Sequence, residues 1–194
     1  KICKYLVIPI QHISAKILKL MGRRGTPEFI RNLLDTLRRE IPGIILRTSL
    51  ITGFPGESEE DFNELYEFVK ETKFDRLGVF VYSREEGTAA ARMKNQVPRR
   101  TARQRQRKIM ELQREISAEK NRSFLGQMLD VLIEGVSDDG IFYLGRSYAH
   151  APDIDGLIHV LSPEPLENGQ IVRVKILNAD NYDLIGEVQD ESAQ

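Results

Sequence analysis

A single cysteine, Cys3, leaves no partner for an internal disulfide and excludes a metal site built from cysteines alone. Tryptophan is absent, and the only histidines are the scattered His12, His150 and His159, so no metal site is expected in this chain. Long apolar runs are missing as well. None approaches the roughly 20 residues that cross a bilayer, and the start lacks the pattern of a signal peptide, which predicts no membrane partner. No internal repeat or low-complexity segment occurs. Lys1-Ile2-Cys3 leads into an apolar stretch at once without an initiator methionine, so the chain reads as a fragment. The apolar neighbours of Cys3 predict a small core residue. What remains is 194 residues, 41% hydrophobic and 29% charged, enough for one or two globular domains with a real core.

Basic residues are scarce in one part only. Residues 124–194 hold 3 lysines and arginines (Arg146, Arg173, Lys175) against 13 acids, whereas residues 1–123 hold 25 against 16. A net charge of -1 therefore hides about +9 followed by about -10, the mark of two modules with different partners.

The most informative stretch is 44–62, IILRTSLITGFPGESEEDF. Its β-branched start predicts a buried strand over 44–52. Arg47 and Ser49 are two residues apart and so share one strand face. A buried arginine needs an anion, so that face is expected to line a site rather than a dry core. Gly53-Phe54-Pro55-Gly56 then breaks the run with a turn that allows close backbone approach. Ser58 is placed to cap a helix over about 59–71, with Asp61 three residues on. In β/α sheets such a turn lies at the strand edge where ligands bind.

Around it the pattern alternates. YLVIPI at 5–10 reads as a buried strand, followed by Gln11, His12, Ser14 and a short helix at 15–21. Thr26-Pro27-Glu28 starts a helix with Ile30, Leu33, Leu34 and Leu37 on one side, ended by Pro42-Gly43. A third buried strand spans 75–82 and leads into Tyr82-Ser83. Strand–helix alternation with short connections implies a parallel sheet, and three strands cannot close a barrel. Residues 89–98 read as a loop, and a long basic helix follows over 99–124. Its start, RRTARQRQRK, is a candidate nucleic-acid patch, though a charge run more often forms a solvated helix face. From 128 the spacing changes to short strands at 127–134, 141–147, 156–161, 170–177 and 182–188, separated by turns such as Asp138-Asp139-Gly140 and Asn168-Gly169. That predicts a small antiparallel barrel of OB type.

IPIQHIS, LRTSLITGFPGESEEDF, FVYSREEGTAA and GRSYAHAPDIDG, in this order, resemble the methylthiotransferases of the radical-SAM superfamily. The resemblance covers nearly the whole chain. It implies an α/β plus β fold: residues 1–123 as the C-terminal half of a radical-SAM partial (β/α) TIM-like barrel, and residues 124–190 as a five-stranded OB-like TRAM barrel. It implies cytoplasmic enzymes that use S-adenosylmethionine and two four-iron, four-sulfur clusters. Cys3 does not match the family's CxxxCxxC motif, so no residue here is expected to bind a cluster, and this chain alone is expected to be inactive. The family reaction cleaves S-adenosylmethionine reductively and inserts a methylated sulfur at the position from which hydrogen is taken.

By the same resemblance, Arg47 would meet the methionyl carboxylate, with Gln11, Ser14, Ser49, Gly53 and Phe54 also on the cofactor. Tyr82, Tyr148, Asp153 and Asp155 would face the substrate. His12 fits the branch that modifies the β-carbon of an aspartate in a basic ribosomal protein of the small subunit. Val7 and His150 stand where that branch is expected to carry acids. The electron donor is not identified by any residue. The alternatives are a transfer-RNA adenosine methylthiotransferase and a noncatalytic partner-binding module. A barrel of about -10 should repel RNA, which argues against direct RNA binding by that domain.

Overall fold

In a computed structural model, which describes residues 2–189, the β-branched run forms β2 (Ile45–Thr52), the middle strand of three. It lies between β1 (Tyr5–Val7) and β3 (Arg76–Val81), and pairs with β3 in parallel from Arg47 opposite Arg76 to Thr52 opposite Val81. Helices α2 (Pro27–Glu40) and α3 (Glu59–Thr72) begin at the expected caps Thr26 and Ser58, and α1 (Ala15–Leu20) begins at a cap, Ser14, that the sequence reading did not assign. Ser58 and Asp61 form a full capping box, an arrangement whose cap alone is worth about 1 kcal/mol. Residues 89–98 are not all loop: Thr88 caps a four-residue helix, α4 (Ala89–Arg92). The long helix α5 spans Arg99–Arg122.

One face of the sheet is covered. Leu46, Leu50, Leu77 and Val79 pack with Leu18, Ile30, Leu34, Phe62, Leu65, Phe68 and Ile109 in a single core. The opposite face is open only in part, since Arg76, paired with Arg47 on it, is buried. Along β2, Arg47, Ser49 and Ile51 are half-buried between buried neighbours, and Phe80 beside Ile51 is 61% exposed.

The expected buried strand over 5–10 is shorter and less buried. Only Tyr5–Val7 is strand, and Leu6 and Val7 are exposed. Pro9 has no N–H to pair, and ladder bonding to β2 resumes at Gln11, whose N–H reaches the Ser49 carbonyl at 2.9 Å. Cys3 is exposed rather than in the core, because it precedes β1 and packs into neither apolar cluster.

Contacts divide the chain into two compact units, Leu6–Ile116 and Lys1–Tyr5 with Ser117–Gln194. In the second, β4 (Met128–Val136), β5 (Tyr143–Arg146), β6 (Ile158–Leu161), β7 (Ile171–Ala179) and β8 (Leu184–Val188) close a barrel in the order β4-β5-β6-β8-β7. Alternate residues such as Val172, Val174 and Ile176 fill it. Four neighbouring pairs are antiparallel, while β6 and β8 run parallel. An odd number of strands in a closed ring cannot alternate throughout. The expected end of this domain at Asp190 lies outside the described residues.

Candidate functional site

The uncovered sheet face is where a ligand can reach strand side chains. Arg47 and Ser49 lie on it, as their two-residue spacing requires, and both are half-buried. Gln11 reaches the same sheet through its parallel bridge to Leu50, and it does so at φ 72°, a backbone conformation that few non-glycine residues adopt. At the far end Tyr82 continues β3, its N–H donating to the Thr52 carbonyl at 2.9 Å. Its ring meets Phe54 edge-on at 5.3 Å. The Tyr82 hydroxyl is buried with no hydrogen-bond partner among the described residues, although the side chain as a whole is half-buried. A half-buried arginine and serine on the strand suit a polar, partly anionic ligand, and the orphaned phenol marks a second polar group at the far end of the same sheet.

The turn after β2 is tied down from behind. Glu57 Oε2 accepts the N–H of Gly53 at 2.7 Å and of Phe54 at 3.3 Å. Glu57 Oε1 accepts from Arg105 of α5 at 2.7 Å, and Arg105 also reaches Glu59 at 2.9 Å and stacks over the Phe62 ring at 5.3 Å. Gly53 has φ 78°, and a Cβ there would sit 2.2 Å from the Cβ of Ala102. The glycine is thus required by the close passage of α5. The two N–H groups of the turn are already spent on Glu57, so the expectation of backbone open to a cofactor is not met at Gly53. Phe54 is buried and offers the site only its ring.

Next to this clamp lies His12, fully buried, with Nδ1 accepting the Ser14 N–H at 3.0 Å and Nε2 3.8 Å from Glu57 Oε2. Burial lowers its pKa from 6.5 to about 4. The charges of Arg105 and Lys16 add to the lowering, against the opposing pull of Asp61. His12 is therefore neutral near pH 7, and its approach to Glu57 is not an ion pair. Burial pushes the Glu57 carboxyl up, while Arg105 and the two turn N–H groups pull it down. Three donors on its two oxygens oppose that rise, which burial still wins. Burial would also raise Asp61, but hydrogen bonds from Lys16, Ser14 and Ser58 hold it well below the usual carboxylate range. Ser14 caps α1 and donates its hydroxyl to Asp61 at 2.7 Å.

The barrel residues separate likewise. Tyr148 packs against the barrel core, and Asp153 is exposed at φ 60°. Asp155 is half-buried. Its carboxylate accepts from the Tyr5 hydroxyl at 2.6 Å and the Ala151 N–H at 2.9 Å, so it shapes the loop instead. Among the described residues no three histidine, cysteine or acidic side chains gather as a metal site. No helix there is long and apolar enough to cross a membrane.

Arg105, Glu57 and the neutrality of His12 are the functional residues that sequence reasoning missed. A signal existed for Arg105. It falls three residues after Ala102 and four before Ile109, in phase with the buried stripe of α5, which Gln113 and Ser117 continue.

Comparison with known proteins adds to this geometry. The Radical SAM superfamily matches residues 1–69 and the TRAM domain residues 125–188. A protein of Acetivibrio thermocellus, Ribosomal protein uS12 methylthiotransferase RimO, is 60% identical over 194 residues, which is 100% of this chain and 43% of that protein. Proteins of the same name are 53% identical in Geotalea uraniireducens (97% of this chain, 42% of the relative) and 52% identical in Pelobacter propionicus (99% and 43%). The chain thus spans less than half the length of these curated relatives. The resemblance read in its motifs to radical-SAM methylthiotransferases is borne out along the whole chain.

Proposed function

We propose that this chain, similar from end to end to proteins named ribosomal protein uS12 methylthiotransferase, forms the cofactor- and substrate-facing part of a cytoplasmic enzyme that adds a methylthio group to the β-carbon of an aspartate in that ribosomal protein. The observation that carries the reading is Arg47 with Ser49 on the uncovered face of β2. S-adenosylmethionine supplies the radical chemistry when bound. Arg47 holds its carboxylate, Ser49 and Gln11 hydrogen-bond its polar groups, and the ring of Phe54 with the hydroxyl of Tyr82 bounds the site. The two four-iron clusters that the resemblance implies for the full-length parent would take their cysteine ligands outside this chain, whose one cysteine is Cys3.

In the full-length parent, Arg47→Ala should weaken S-adenosylmethionine binding by about 2–4 kcal/mol, or roughly 30-fold to nearly 1,000-fold in Kd. Titration calorimetry on a folded variant reads this directly, and an unchanged Kd would remove Arg47 from the site.

The barrel, at about -10, presents Asp153 beside the exposed Ile154 and suits a basic protein surface better than RNA, which disfavours the transfer-RNA alternative. Asp153→Lys should slow association with the ribosomal protein several-fold at low salt, with the difference shrinking as salt rises. Stopped-flow binding across salt checks it. Equal rates at every salt would make the barrel a spacer.

A further inference from the structure

We propose that the exposed arginine stripe opening α5 is a docking surface for the phosphate backbone of RNA. This rests on the reading that the parent enzyme acts on a ribosomal protein, whose surroundings are RNA. Residues 99–110 of α5 contain five arginines and Lys108 but no acid. The structure sorts them. Arg105 turns inward to Glu57, and Lys108 lies over the Phe62 ring. Arg99, Arg100, Arg103 and Arg107 stay exposed, and none forms an ion pair among the described residues. Arg99, Arg103 and Arg107 follow one another at four-residue spacing and so form a single row on the helix.

Nothing in the fold rewards this row. Like charges at that spacing repel one another, and cations in the first turn oppose the helix dipole. A solvated face chosen for solubility would mix signs, as α3 does with Glu67 and Lys70. The row suits an anionic partner that presents repeated charges at close intervals. Guanidinium groups match phosphate in geometry as well as charge. An anionic membrane fits poorly, since the apolar side of this helix segment (Ala102, Ile109) is already buried and has nothing to insert.

The test uses the full-length protein and a labelled RNA hairpin of about 20 nucleotides, with affinity measured from about 50 to 300 mM salt. The variants are Arg99→Gln with Arg103→Gln and Arg107→Gln, and the matching triple change to lysine. The glutamine triple should bind at least tenfold more weakly at the lowest salt. Its slope of log affinity against log salt should be shallower by about 2 to 3, as for three lost phosphate contacts. The lysine triple should keep most of the slope. This readout needs no turnover, so it holds or fails separately from any modification assay. Equal RNA affinity and slope in wild type and the glutamine triple would overturn the proposal. So would tighter binding of the stripe to polyglutamate or to phosphatidylglycerol vesicles than to the hairpin.

Discussion

Arg105→Ala is expected to cost about 3–5 kcal/mol of folding stability, the usual result of removing one partner from a buried ion pair. Arg105 and Glu57 side chains are 7% and 0% exposed and meet at 2.7 Å. Without the guanidinium, the Glu57 carboxyl would be left in the interior with only the two N–H groups of the turn as donors, so either its charge is uncompensated or it must take up a proton. Combining Arg105→Met with Glu57→Gln should recover part of the loss, because no charge then stays buried. Urea unfolding of the single and double variants reads both. A loss below about 1 kcal/mol for Arg105→Ala would mean that water reaches Glu57 and that the clamp is not a buried pair. The same cluster predicts an acid limb in stability. The unfolded chain protonates His12 near pH 6.5, while the folded chain resists until about 4. The contribution is therefore complete above pH 6.5 and falls away towards pH 4, by up to about 3 kcal/mol. Glu57, with its pKa raised by burial, works in the opposite direction and softens the decline. His12→Gln should flatten the wild-type curve between pH 6.5 and 4 and leave its shape above 6.5 unchanged.

Gly53→Ala should be nearly as damaging, at about 2–5 kcal/mol. Two costs combine: about 1–2 kcal/mol for a side chain in the left-handed region, and about 1–3 kcal/mol for overpacking. The backbone angle is φ 78°, and the new Cβ would lie 2.2 Å from Ala102 Cβ and 3.2 Å from its Cα. Part of the obstacle is helix backbone, so α5 must move away from β2 to make room. Thr52 donating to the Ala102 carbonyl at 3.0 Å would be disturbed with it. Ala102→Gly in the same chain removes the nearest atom and should return the steric part only, leaving the φ penalty and a further loss of about 1 kcal/mol for glycine within a helix. A thermal melt of Gly53→Ala matching wild type would contradict the close passage of α5.

Legibility of the sequence followed how local the physics was. β2 was readable because β-branched residues and the Gly53–Gly56 turn mark its length and end within one short stretch. The caps at Thr26 and Ser58 are likewise decided by neighbours three residues away. Placing Arg47 and Ser49 on a shared, uncovered face needed only the two-residue period of a strand. Less was legible where a residue's partner lies far along the chain. Gly53 looks like a ligand-binding glycine until Ala102, 49 positions later, arrives against it. Asp155 looks like a free acid until the Tyr5 hydroxyl, 150 positions earlier, takes its carboxylate. The Ser14 hydroxyl has a comparable distant partner, Asp61, 47 positions on. Residues 5–10 were apolar enough for a buried strand, but apolarity alone does not say that the sheet has one uncovered face for Val7 to border.

The account stands most directly on one measurement. The full-length parent, its clusters reconstituted, is given purified ribosomal protein uS12, S-adenosylmethionine, a reductant and a sulfur source, and the peptides are analysed by tandem mass spectrometry. The account predicts one methylthio group on the β-carbon of a single aspartate, with a much lower yield for a folded Arg47→Ala variant. An unmodified ribosomal protein together with methylthiolated adenosine in transfer RNA under the same conditions would contradict it.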